Sequence, residues 1–194
     1  MCKFAEDSKM NQHYTAMIRI KDLDFEISIR QDEISSSIAN IAEKMNQDYE
    51  DKCPLLLAIL NGSFIFAADL VRRLTFEHEI QFVKLASYQG TESTGKVKEL
   101  IGLNVDIADR DVIIVEDIVD TGKTMANLLP QIKDKGARSV EIATLLMKPE
   151  KLAVDLDVKY CAIEIPNDFI VGYGLDYDGL GRQYPDIYTV VKKD

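Results

Sequence analysis

The chain is poor in the residues that build several common kinds of site. It holds two histidines, His13 and His78, among 194 residues. That excludes a histidine-rich metal centre and leaves a Ser-His-Asp hydrolase without support. The three cysteines, Cys2, Cys53 and Cys161, are odd in number and far apart. Neither a disulfide framework nor a cysteine-ligated zinc site is expected, and the setting they suggest is cytoplasmic. No apolar run is long enough to cross a membrane. Positive charge is scarce as well: 23 Lys and Arg stand against 33 Asp and Glu, for a net charge of −10. A nucleic-acid-binding surface needs clustered cations, so none is expected. Met1–Met10 is polar and acidic and shows no signal-peptide pattern, and Val191-Lys192-Lys193-Asp194 carries no lipidation or peroxisomal signal.

What is present suits one globular domain with a substantial core: 46% hydrophobic and 29% charged residues over a length ordinary for a single domain. The most informative stretch begins as an apolar, β-branched run, Val112-Ile113-Ile114-Val115, of the kind that forms a buried parallel strand. It then changes to Glu116-Asp117-Ile118-Val119-Asp120-Thr121-Gly122-Lys123-Thr124, and a helical pattern follows. Open α/β sheets place ligands beyond the carboxyl ends of such strands.

Thr121, Gly122, Lys123 and Thr124 offer hydroxyls and backbone N–H groups at a helix N-terminus, a natural anion site. A nucleotide P-loop would need Gly five residues before Gly122, and Asp117 stands there, so that motif fails. Glu116 and Asp117 could accept from sugar hydroxyls or hold Mg²⁺. A phosphate, a polyol and a divalent ion around one turn suggest a phosphorylated sugar. Read alone, the pair is more simply an acidic loop after a core strand.

The rest of the chain alternates strands and helices. Met1–Tyr14 reads as a peripheral arm, and Ala16–Ile29 as one or two edge strands around Asp22. Asp32–Tyr49 is expected to be a helix capped by Asp32, with Ile34, Ile38, Ile41, Ala42 and Met45 on one buried face. Pro54–Leu60 reads as a buried strand, followed by the turn Asn61-Gly62-Ser63 and a helix over Phe64–Leu74. Strands are expected at Glu79–Ala86 and Val97–Leu103, with a polar, glycine-containing loop between them from Ser87 to Gly95. Asp111–Val115 is the central strand. The helix after it should run from Lys123 to about Lys135, with a kink or early stop at Pro130 and Gly136 ending it. Ser139–Met147 follows as a strand and Asp186–Val190 as the last one. The alternation predicts a doubly wound, mainly parallel α/β sheet. From Tyr160 the texture changes to glycines and aromatics without a helical period.

The stretch of apolar run, two acids, two apolar residues, Asp and Thr-Gly resembles the phosphoribosyl-diphosphate (PRPP) motif of the type I phosphoribosyltransferases. Within them the chain is similar to the hypoxanthine-guanine phosphoribosyltransferases. The resemblance implies a core over about 30–150 with a small purine-binding hood built from 1–29 and 151–194. It implies that Glu116 and Asp117 hold the ribose and Mg²⁺, that Thr121, Gly122, Lys123 and Thr124 hold the 5′-phosphate, and that Asp120 is the general base. Asn61 and Gly62 would meet diphosphate, in a loop that in the family often contains a non-proline cis peptide. Asn61 stands where some relatives carry Lys or Arg, which leaves that contact to backbone amides. Ser87 and Tyr88 match the pair that opens a lid over the substrates.

By the same resemblance Lys148 would donate to the purine oxygen at position 6, Phe169 would stack on the ring and Ile170 would offer backbone groups to its edge. Asp176 would lie near a second Mg²⁺, and Arg182 would meet diphosphate. Phe169 and Tyr173 could equally be core aromatics, and Lys148 a solvated strand end. The expected substrates are PRPP with hypoxanthine or guanine, with a xanthine-preferring relative or a non-catalytic regulator as alternatives. The family implies a homodimer or homotetramer, with Lys84 near a subunit contact, and no membrane or nucleic-acid partner.

Overall fold

The structure, a computed structural model, describes residues 17–86 and 99–192. The expected lid residues Ser87 and Tyr88 and the arm Met1–Tyr14 lie outside the described residues. Six strands form the central sheet. They are β3 (Leu55–Leu60), β4 (Glu79–Ala86), β5 (Glu99–Ile101), β6 (Asp111–Val119), β7 (Ser139–Met147) and β8 (Tyr160–Glu164), in the order β5-β4-β3-β6-β7-β8. All neighbours are parallel except β4 and β5, which are antiparallel. β3 and β6 sit in the middle, and both are nearly continuous runs of buried Leu, Ile, Val and Ala. That composition is what a strand covered on both faces requires.

The two faces are covered by different helices, so the sheet is doubly wound as expected. Helices α1 (Gln31–Asp48) and α2 (Phe64–Val71) share one core cluster with Leu56, Ala58, Ile113 and Val115. Helix α3 (Lys123–Asp134) packs Met125, Leu128 and Ile132 on the other face, against Leu55, Leu57, Val112 and Ile114. The even and odd residues of β3 and β6 thus serve opposite cores, as the two-residue period of a strand dictates. The stripe Ile34, Ile38, Ile41, Ala42 and Met45 is buried as expected. Each large member stabilises the fold by roughly 1.5–3 kcal/mol through burial.

A second, antiparallel sheet stands where the hood is expected, and we call it the hood. It comprises β1 (Met17–Ile20), β2 (Leu23–Ile29), β9 (Ile170–Val171) and β10 (Ile187–Val190), in the order β1-β2-β10-β9. Only β1 of the N-terminal hairpin is an edge; β2 lies inside the sheet. The segment 151–194 does not belong wholly to the hood, because β8 pairs with β7 in the central sheet. Phe25, Val171 and Tyr188 form the hood's own core.

Several local expectations differ from the structure, beginning with α2, which ends at Val71 rather than Leu74. Helix α1 starts at Gln31 after Arg30, and Asp32 lies within its first turn rather than capping it. The Gln31 N–H instead donates to Asp186 Oδ1 at 2.8 Å, so a carboxylate from the far end of the chain satisfies the helix start and ties the hood to it. Pro130 does not stop α3, which runs on to Asp134. Pro130 is exposed, and on that face a carbonyl left without a backbone donor can be hydrated. Gly136 does end the helix, with φ of +86°, just beyond the cap residue Lys135. Finally, β6 continues through Glu116 and Asp117 to Val119, because β7 pairs with it as far as Val119 opposite Met147.

At the opposite end of β6, Asp111 accepts from Arg138 Nε at 3.1 Å and Ser139 Oγ at 2.6 Å. The Arg138 hydrogen bonds hold the Asp111 carboxyl down at about 2, against an ordinary 3.8. A depressed folded-state value means stability that is full above 3.8 and is lost as pH falls toward about 2. Acid titration of unfolding free energy should therefore be shallower for Asp111→Asn than for the parent across that window. An unchanged slope would refute the assignment.

Candidate active site

The carboxyl ends of β3 and β6 lie side by side, and the loops that leave them meet. Glu116 is buried, with 8% of its surface exposed. Its Oε1 accepts the Asp117 N–H at 3.3 Å, and Asp117 Oδ1 accepts the Ile118 N–H at 2.8 Å. Burial pushes the Asp117 carboxyl up, against opposing pulls from a hydrogen bond with Glu116 and from the charge of Arg182. The β3 loop crosses directly over this pair. Its Leu60–Asn61 peptide is cis, and Ser63 donates from Oγ to the Ile59 carbonyl at 2.6 Å rather than capping α2. A Cβ on Gly62 would fall on Asp117 Oδ2, so only glycine lets the loop backbone lie there.

Beyond β6 the chain makes the turn Asp120–Gly122 and enters α3 at Lys123. Gly122 has φ of +73° and stands at the N-cap position, with no side chain capping the helix. A Cβ there would come within 2.8 Å of Val154 Cγ2. The turn is braced from outside by the segment after β7, whose Ala153 N–H donates to the Thr121 carbonyl at 3.0 Å. A cavity of about 280 Å³ opens at this turn, lined by Glu116, Ile118, Asp120, Thr121, Gly122 and Thr124 among others. Lys123, the first residue of α3, is exposed.

Lys148 follows β7 and is only 6% exposed. Burial lowers its ammonium's affinity for the proton, while the carboxylates of Asp120 and Asp168 oppose that shift and Lys151 adds to it. Its own N–H donates to the Val119 carbonyl at 3.0 Å. Lys148 is therefore not a solvated strand end; it is a buried lysine that feels the charges of Asp120 and Asp168. Lys151 reaches Asp120 as well, with Nζ 2.8 Å from Oδ2.

On the hood side, Phe169 packs on Phe25 and Tyr177 with ring centroids at 6.0 and 5.5 Å, yet stays 43% exposed. Ile170 is buried in β9 and lines a separate cavity of about 320 Å³ with Ile29 and Ile187 of the same sheet and Ile163, Ile165 and Pro166. Asp176 accepts from Arg182 Nη2 at 2.6 Å and from the Gly179 N–H at 2.7 Å. Arg182 Nη1 also donates to the Gly174 carbonyl at 2.6 Å. Gly172, Tyr173 and Gly174 all have positive φ. A Cβ on Gly174 would fall on the Gly62 carbonyl oxygen, and the Tyr173 hydroxyl donates to Asp69 on α2. Through these contacts the hood docks on the β3 loop and brings Arg182 toward Asp117. Tyr173 is thus a docking residue, buried as the core reading expected.

Gly174, Asp69 and Lys151 carry roles that motif spacing did not indicate. Gly174 had a signal in its Gly-Tyr-Gly setting; Lys151 had only its closeness to Lys148-Pro149, and Asp69 had none. Among the described residues no cluster of three or more His, Cys, Asp and Glu side chains is assembled to hold a metal unaided, and no helix is long and apolar enough to cross a membrane.

Residues 30–178 match the phosphoribosyl transferase domain family. The chain is 40% identical over 169 residues to a hypoxanthine-guanine phosphoribosyltransferase of Streptococcus thermophilus, covering 87% of this chain and 93% of that one. It is 39% identical over 185 residues to a hypoxanthine phosphoribosyltransferase of Buchnera aphidicola, covering 95% and 99%. A crystal structure of a hypoxanthine-guanine phosphoribosyltransferase from Bacillus anthracis superposes with a TM-score of 0.79 at 36% identity, covering 86% of this chain and 97% of that one. The family match covers most of the chain and the likeness in sequence and fold runs over most of its length, so the chain belongs to the phosphoribosyl transferase family, with the hypoxanthine-guanine phosphoribosyltransferases as its relatives.

Proposed function

We propose that the chain transfers the 5-phosphoribosyl group from PRPP to hypoxanthine or guanine, giving the purine nucleoside 5′-monophosphate and diphosphate in purine salvage. The observation that carries this reading is the placement of buried Lys148 beside Asp120, at the boundary between the phosphate turn and the hood. A buried ammonium donates and cannot accept. It suits a purine with an oxygen at position 6 and disfavours one with an amino group there.

Thr121, Gly122, Lys123 and Thr124 hold the 5′-phosphate at the N-terminus of α3, where helical N–H groups lack partners. Glu116 and Asp117 hold the ribose hydroxyls. Asn61 and Gly62 present loop backbone to the diphosphate, and Arg182 supplies positive charge on that side. Phe169 offers its exposed ring face to the purine and Ile170 its backbone. In the reaction the anomeric carbon–oxygen bond to diphosphate breaks and a carbon–nitrogen bond to the purine forms. The purine's ring N–H proton passes to Asp120.

Glu116, Asp117 and Asp176 are hard oxygen donors suited to Mg²⁺ shared with a substrate, and burial of Asp117 favours a cation partner over an isolated charge. Bound there, Mg²⁺ would neutralise charge on the departing diphosphate. The lid assignment of Ser87 and Tyr88, cytoplasmic location and a homodimer or homotetramer complete the proposal. The exposed Phe82 and Lys84 on β4 suit a contact between copies. Competition among hypoxanthine, guanine, xanthine and adenine for a fixed amount of PRPP tests the specificity. Hypoxanthine and guanine should be consumed and adenine spared; preferential use of adenine would refute the role of Lys148.

A further inference from the structure

We propose that Lys151 is a positioning residue that orients the Asp120 carboxylate for proton transfer. The inference rests on the reading of Asp120 as the general base. Among the described residues, the one side-chain hydrogen bond to the Asp120 carboxylate comes from Lys151 Nζ, 2.8 Å from Oδ2. The other oxygen, Oδ1, is buried without a hydrogen-bond partner. Oδ2 is therefore the oxygen on the accessible side, and it is the one that Lys151 holds. A carboxylate with a single anchor loses its orientation when that anchor is removed.

The backbone shows how Lys151 is placed. Pro149–Lys151 is a single 3₁₀ turn directly after Lys148, and the Lys151 N–H donates to the Lys148 carbonyl at 3.0 Å. The turn is clamped at both ends to the strand–turn element that carries Asp120. Lys148 N–H donates to the Val119 carbonyl and Ala153 N–H to the Thr121 carbonyl, each at 3.0 Å. Val119 and Thr121 are the two neighbours of Asp120. One short turn therefore fixes both the lysine assigned to the purine oxygen and the lysine that aims the base. An Oδ2 lone pair not used by Lys151 stays available to the purine N–H, because a carboxylate oxygen accepts more than one hydrogen bond.

Lys151 and Asp120 are both about a third exposed, at 36% and 39% of side-chain surface. An exposed pair of this kind contributes little to folding, so its loss should be read in turnover. The test is steady-state kinetics of Lys151→Ala, Lys151→Arg, Asp120→Asn and the Lys151→Ala/Asp120→Asn double variant. Lys151→Ala should lower kcat about tenfold or more, a part of the roughly 10²- to 10⁴-fold that a positioned base contributes, with KM for PRPP within about twofold. Lys151→Arg should recover most of that loss. In the Asp120→Asn background Lys151→Ala should add nothing, as expected of two residues acting as one unit.

Parental kcat in Lys151→Ala beside an inactive Asp120→Asn would overturn the role of Lys151 and leave the base assignment standing. So would a loss that Arg does not recover, or one that adds fully to Asp120→Asn. Full turnover in Asp120→Asn would overturn the base assignment and, with it, this inference.

Discussion

Replacing Asp120 by asparagine should reduce kcat by about 10²- to 10⁴-fold, the range general-base catalysis supplies, while PRPP binding stays close to the parental value. The amide is nearly isosteric with the carboxylate, so the cavity at the turn keeps its shape. What it loses is the ability to take a proton. Glu116 and Asp117 precede Asp120 on β6 and do not depend on it for their hydrogen bonds. The collateral losses are the ion pair with Lys151, which at its partial exposure is worth about 0–1 kcal/mol, and the counter-charge that the carboxylate offers the buried Lys148. The first is too small to unfold the protein, and the second falls on the purine side, so KM for the purine is followed beside kcat. Single-turnover measurement beside equilibrium titration with PRPP separates the two quantities. A variant with parental turnover, or one that no longer binds PRPP, contradicts the role assigned to Asp120.

Gly62→Ala is expected to be nearly as damaging by a different route. The new Cβ falls on Asp117 Oδ2. Asp117 cannot simply turn aside, because its other oxygen accepts the Ile118 N–H at 2.8 Å in a buried setting. Nor can the loop retreat, because Gly174 of the hood lies against the Gly62 carbonyl where no Cβ fits. Overpacking between two fixed neighbours costs typically 1–3 kcal/mol of stability. Whichever neighbour yields, the acid pair or the hood contact moves, and both belong to the proposed PRPP site. We expect KM for PRPP to rise at least tenfold and kcat/KM to fall about 10²-fold, since displacement by about an ångström can cost that much. Thermal unfolding and PRPP saturation curves check both. Parental values in both would show that Gly62 does not constrain Asp117.

How much of this was legible in the sequence depends on whether the cause is local. The apolar runs of β3, β6 and β7 and the stripe on α1 announce themselves because burial on a sheet or helix face sets their composition. The turn from β6 into α3 was legible because the Thr-Gly-Lys-Thr segment that makes it is contiguous. The end of β6 was not, since pairing with β7 holds Glu116 and Asp117 in the strand whatever their side chains prefer. The cap of α1 was misassigned to Asp32 because the acceptor, Asp186, arrives from 155 residues away. Lys151, Asp69 and Gly174 share that character. Each matters through a partner distant in sequence, and spacing along one element cannot reveal it. Pro130 illustrates the reverse: a strong local rule yielded because the residue falls on the exposed side of a helix anchored by Met125, Leu128 and Ile132.

On the proposed reading, one site spanning β6, the turn after it and the hood joins a purine bearing an oxygen at position 6 to PRPP. The most direct test of that reading is diphosphate release from PRPP on addition of hypoxanthine, guanine, xanthine or adenine in turn, with and without Mg²⁺. Stoichiometric release of diphosphate is expected with hypoxanthine or guanine in the presence of Mg²⁺, and little with adenine. No release with either 6-oxopurine under those conditions would contradict that reading.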